Sequence, residues 1–147
     1  MRRRIIMSLT AALVLIAACG EESERQDDWT AELEVSDQEL CEDAADLVVI
    51  DRAYVDPGPG FVDVHEDTDD MDMIGYVPIE PGETTEIEVE LQRDAEDGEL
   101  FHSMVHMDAA EDGVYDQDTD HPVEKDGEIL MPSFEVTLVS EGEPCED

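Results

Sequence analysis

Apolar and polar positions alternate along much of the chain with the two-residue period of a strand whose faces see different surroundings. The clearest stretch is Thr85-Glu86-Ile87-Glu88-Val89-Glu90-Leu91, which sets Ile87, Val89 and Leu91 on one face and three glutamates on the other. Trp29, Ala31, Leu33 and Val35 alternate with polar residues in the same way, as do Phe134, Val136 and Leu138 near the end of the chain. Leu47 to Ile50 is an apolar, β-rich run. Phe61, Val62 and Val64 lead into His65, and Met73 to Ile79 and Leu100 to Met107 read as further strands. Turn-forming residues separate these runs, among them Pro57-Gly58-Pro59-Gly60, Pro81-Gly82, Asp97-Gly98, Asp112-Gly113 and Asp126-Gly127. No stretch of this region sustains a 3.6-residue period. About seven short strands without a helix pattern predict an all-β fold, an antiparallel two-sheet sandwich of immunoglobulin-like or cupredoxin-like architecture. The Cys, Trp, Cys spacing of immunoglobulin domains is absent, so the prediction concerns architecture alone.

The first residues break this pattern. Arg2-Arg3-Arg4 is a positive cluster, and Ile5 to Ala18 is an uncharged apolar run. That run falls short of the ~20 residues a permanent membrane-spanning helix needs and has the form of an export signal. It closes on Ile16-Ala17-Ala18-Cys19, which resembles the bacterial lipobox of an aliphatic residue, two small residues and a cysteine. The resemblance implies a diacylglyceryl group on the Cys19 thiol and cleavage just before it. Two acyl chains on one residue meet the requirement for stable anchoring, each buried methylene contributing ~0.8 kcal/mol. A plain secretory signal and an uncleaved anchor are the alternatives. The predicted organisation is a signal peptide over 1–18, an acidic tether over 19–28 and a single β-domain over 29–147. The predicted location is the extracytoplasmic face of the cell membrane, through the lipid.

Cysteine usage agrees with export. With Cys19 lipidated, Cys41 and Cys145 remain, and an even remainder in an exported chain suggests a disulfide between the start and the end of the domain. Two free thiols are the alternative.

Charge narrows the partners. The chain has 43 Asp and Glu against seven Lys and Arg, a formal net charge of −36, and three of the seven cations leave with the signal. Nucleic acid is excluded, because phosphate binding needs clustered Lys and Arg. An anionic membrane surface repels such a domain, so the membrane is a partner only through the lipid. Self-repulsion at this charge is relieved by salt, which points to a salty habitat; a merely acidic surface protein from a low-salt organism is the alternative.

Several groups could carry chemistry. In His102-Ser103-Met104-Val105-His106, a strand would place His102, Met104 and His106 on one face. Imidazole and thioether suit copper. His65, Met71, Met73, Met107 and His121 could add to such a site, with His65, His102, Met104 and His106 the metal-ligand candidates. Met packed in the core and hydrogen-bonded structural histidines are the alternative reading. Asp108-Ala109-Ala110-Glu111-Asp112-Gly113 resembles the start of a calcium loop but has Ala110 at a ligand position and Thr119 where the bidentate Glu belongs. The acidic run Asp67-Thr68-Asp69-Asp70-Met71-Asp72 is a second calcium candidate, and in so acidic a chain such clusters arise by composition. No nucleophile elbow, zinc-protease motif, phosphate-binding glycine loop or Cys-x-x-Cys is present, so the chain is read as a non-enzyme with no catalytic residues.

Ordered motifs carry a family resemblance: Gly58-Pro59-Gly60-Phe61-Val62-Asp63-Val64-His65, Ile74-Gly75-Tyr76-Val77-Pro78-Ile79, Pro81-Gly82-Glu83-Thr84, Met104-Val105-His106-Met107-Asp108, Gly113-Val114-Tyr115-Asp116, Pro122-Val123, Asp126-Gly127 and Phe134-Glu135-Val136-Thr137. Over about residues 47–139 the chain resembles a family of small exported domains of unknown function from bacteria and salt-loving archaea. The resemblance implies a β-sandwich on an exported or surface protein and brings no activity with it. The resulting expectation is a membrane-anchored, non-enzymatic surface module with no cofactor, whose partner is another envelope protein. The alternative expectation is an extracytoplasmic metal-binding protein, for copper before calcium.

Overall fold

The computed structural model describes residues 28–140 and Cys145. The expected signal segment, Cys19 and all of the expected tether except Asp28 lie outside the described residues. Ten strands follow in chain order: β1 (Thr30–Glu34), β2 (Gln38–Cys41), β3 (Leu47–Asp56), β4 (Gly60–Glu66), β5 (Met73–Ile79), β6 (Gly82–Glu90), β7 (Glu99–Met107), β8 (Glu124–Lys125), β9 (Glu128–Ile129) and β10 (Ser133–Val139). Seven are the strands expected from the sequence. The other three are short and carry little pattern: two residues each in β8 and β9, four in β2. The described residues contain no α-helix.

The strands form a sandwich. One sheet has the order β1-β3-β6, and the other β2-β10-β7-β4-β5; β8 and β9 make a separate hairpin. The sandwich is antiparallel as expected, with one parallel pair among the named strands: β2 runs parallel to β10, Gln38 opposite Val136 through Cys41 opposite Val139. Parallel partners need a long crossover. Here nearly the whole domain is that crossover, since β2 stands near its start and β10 at its end. The Gln38 side chain also ties the two sheets together. Its amide donates to the Val49 carbonyl (2.7 Å) and accepts from the Val49 N–H (2.9 Å), as a neighbouring strand's backbone would.

The core lies between the sheets. Val48, Ile50, Ala53 and Val55 of β3, with Ile87 and Val89 of β6, face Val62 and Val64 of β4, Phe101 and Val105 of β7, and Phe134 and Val136 of β10. β6 matches its sequence pattern, its apolar residues buried and its glutamates exposed. β4 does not behave as half of a two-layer sandwich. Every residue from Gly60 to His65 is buried, so the outward face of β4, which should meet water, is covered as well. Cys41 and Cys145 are bonded, with Cα atoms 5.4 Å apart, joining the end of β2 to the segment after β10.

Candidate metal centre

Two loops cover the outer face of the five-stranded sheet. The first, residues 67–72 between β4 and β5, closes through Glu66 N–H to the Asp72 carbonyl and Met71 N–H to the Thr68 carbonyl. The second, residues 108–123 between β7 and β8, is braced by two buried carboxylates. Asp108 accepts from the N–H groups of Asp112 and Gly113, and Asp120 from those of Ala109 and Asp116. Short acidic side chains bond readily to nearby backbone in this way. Tyr115 of the second loop packs with Phe61 and Tyr76, the three ring centroids 5.5–5.8 Å apart. The Tyr115 ring also meets His106 edge-on at 5.4 Å.

The alternation of β4 that sends Val62 and Val64 into the core turns Phe61, Asp63 and His65 outward. On β7 the residues opposite them are His106, Met104 and His102. Asp63 is fully buried here, between two buried histidines. Its Oδ1 accepts the Met104 N–H at 3.1 Å, and its Oδ2 lies 3.2 Å from His65 Nε2 and 3.0 Å from His106 Nε2. Neither Nε2 contact has the alignment of a hydrogen bond, so Asp63 Oδ2 and both Nε2 atoms are buried without a hydrogen-bond partner. The three ligand atoms lie within 4.8 Å of one another.

The other nitrogen of each ring is fixed. His65 Nδ1 lies 2.7 Å from the Met71 carbonyl oxygen, and His106 Nδ1 2.8 Å from that of Asp120. A carbonyl only accepts, so each Nδ1 carries the proton and donates. Each neutral ring then presents an Nε2 lone pair toward the carboxylate. Three acceptors facing one another repel unless a cation stands among them, either protons on the rings or a metal ion. For bond lengths of about 2.0–2.2 Å to His nitrogen or carboxylate oxygen, neighbouring ligand atoms of one ion stand about 3–3.5 Å apart. The two Asp63 contacts have that separation. The Nδ1–H to carbonyl contacts are of the kind that orient histidines in metal sites.

Electrostatics tells the same story. Burial pushes the Asp63 carboxyl up, but the two imidazoles beside it outweigh burial and hold it below the usual carboxylate value. Burial pushes His65 and His106 down, while Asp63 and the backbone carbonyls bring both above the ordinary imidazole value. The Tyr115 hydroxyl is pushed up to about 12, first by burial and then by the negative charges of Asp63, Asp120 and Asp116.

Of the four metal-ligand candidates, the structure brings His65 and His106 together and places Met104 on the same face. His102 is on this face too but is drawn away, its Nε2 lying 2.8 Å from Asp67 Oδ1. Met107 faces the core between the sheets, and His121 is exposed. Met71 contributes its carbonyl to His65. In the calcium candidate Asp108–Gly113, the Asp108 carboxylate accepts from the loop's own Asp112 and Gly113 amides. Asp63 was not among the expected ligands. The available signal was local: in Val62-Asp63-Val64-His65 a carboxylate sits two residues from a histidine, on the same strand face and between two core valines.

Residues 31–137 match a family described as a domain of unknown function, DUF7282. The match begins before the motifs at 47–139, at the first buried residue of β1. None of the curated proteins matches the chain.

Proposed function

The chain belongs to the DUF7282 family of domains of unknown function, and we propose that it is a membrane-anchored, extracytoplasmic, non-enzymatic lipoprotein that holds one transition-metal ion through Asp63, His65 and His106. The observation that carries the metal reading is the convergence of three buried acceptor atoms whose neighbouring groups already fix the tautomer that binds metal. Two imidazoles and one carboxylate suit ions such as zinc, copper, iron or nickel better than calcium or magnesium, which take oxygen ligands. The lipobox at Cys19 supports the anchor, and the acidic tether would hold the domain away from the bilayer.

The test is to purify the mature protein, strip it with a chelator, dialyse it against Zn²⁺, Cu²⁺ and Ca²⁺ separately, and measure bound metal. About one zinc or copper per chain is expected, with no stoichiometric calcium. Asp63→Asn and His106→Ala should each lower affinity by more than about tenfold. No stoichiometric metal in the native protein would sink the metal reading and leave a surface interaction module. Mass spectrometry of the native product should find a lipid on Cys19 and no leader before it.

A further inference from the structure

The proposed ion has three protein ligands, and the register of β4 and β7 points to a fourth. Asp63 and Met104 are a direct cross-strand pair. Side chains of such a pair stand on the same face, with Cβ atoms about 4.5–5.5 Å apart. His65 lies two residues from Asp63 on β4, and His106 two residues from Met104 on β7, so the histidines flank the pair at diagonal corners. Both reach inward to the same carboxylate oxygen, Asp63 Oδ2. The point they enclose therefore stands over the Asp63–Met104 pair. Met104 is buried, at 8% exposure, yet it does not belong to the cluster packed between the sheets. Its own N–H occupies Asp63 Oδ1, which leaves Oδ2 as the oxygen facing the histidines. The other β7 histidine on this face, His102, meets Asp67 through Nε2 and stands outside the group of three ligand residues, although its Nδ1 is buried without a hydrogen-bond partner.

Resting on the metal reading above, we infer that the Met104 thioether is the fourth ligand and that it selects copper over zinc. Protein ligands of zinc are thiolate, imidazole and carboxylate. A thioether adds little for zinc but suits copper, Cu(I) most of all. A set of two imidazoles, one carboxylate and one thioether accepts copper in either oxidation state and favours the reduced ion more than the three-ligand set would.

The experiment compares the mature native protein with Met104→Leu. Cu(I) is supplied against a competing chelator under reductant, and Co²⁺ serves as a coloured stand-in for zinc. Met104→Leu should bind Cu(I) at least about tenfold more weakly while Co²⁺ affinity stays within about twofold. X-ray absorption of the Cu(I)-loaded native protein should show a sulfur neighbour. In selenomethionine-labelled protein, which needs no substitution, that neighbour should become selenium. Copper bound with nitrogen and oxygen neighbours alone overturns the Met104 assignment and leaves the three-ligand reading standing. Equal losses of Cu(I) and Co²⁺ in Met104→Leu assign the residue to packing and also overturn the proposal. A native protein that takes up neither ion overturns both readings.

Discussion

Asp63 stands in mid-strand between two core valines, where water cannot reach it. An isolated carboxylate at such a position would take up a proton. His65 and His106 reverse that preference, and the three groups titrate as a set. The pH dependence of the metal-free protein follows from the signs. Asp63 is held below its ordinary 3.8, so its contribution is present above that value and is lost as pH falls further. His65 and His106 are held above their ordinary 6.5, so their contribution is complete below that value and is lost as pH rises through the raised values. Stability in the presence of chelator should therefore peak in the mildly acidic range and decline on both sides. Urea denaturation from about pH 4 to pH 9 measures this. Asp63→Asn should abolish the decline on the alkaline side; a variant that keeps it would show that other groups cause it.

At the scale of the element, the site depends on how closely β4 lies against β7. Gly60 makes this approach possible: a Cβ there would stand 2.5 Å from the His106 carbonyl oxygen. Gly60→Ala must push the strands apart beside His106, one of the proposed metal ligands. Its expected cost is about 1–3 kcal/mol, seen in thermal melts, together with weaker metal binding. Unchanged binding in a folded Gly60→Ala protein would mean that the site tolerates the shift. The β2–β10 pair depends on a different link. The Cys41–Cys145 bond spans 104 residues and holds the end of the chain against its start. Removing it with Cys41→Ser should destabilise the domain by about 2–4 kcal/mol, read by chemical denaturation. β1, β6 and β10 were legible because their apolar residues follow a two-residue period. β2 was not, since Gln38-Glu39-Leu40-Cys41 becomes a strand through its pairing with β10 and through the Gln38 amide rather than through a pattern of its own.

For the whole molecule the governing quantity is charge. Two of its few cations are each shared among several carboxylates. Arg52 meets Glu32, Glu34 and Glu83, and Arg93 meets Glu66 and Glu99 while covering the Phe101 ring. With 43 acidic residues against seven Lys and Arg, mutual repulsion is largely uncompensated. Added salt screens that repulsion as the Debye length falls from about 10 Å at 0.1 M to about 3 Å at 1 M. The melting temperature of the mature domain should rise with NaCl over this range. A melting temperature indifferent to salt would contradict the inference of a salty habitat.

Local periodicity, turn residues and composition were enough to specify the β class, seven of the strands and the strongly acidic character. The sequence also pointed to His65 and His106, though only as members of a longer set in which His102 ranked equally. What the tertiary structure decided was which of those side chains meet. Register set Asp63 beside Met104 and between two histidines that are 41 residues apart in the chain, and two loops folded over a sheet face that alternation alone would have left in water. Strand periodicity specifies which face a residue occupies. Only the pairing of strands, fixed by contacts distant in sequence, specifies its neighbours on that face.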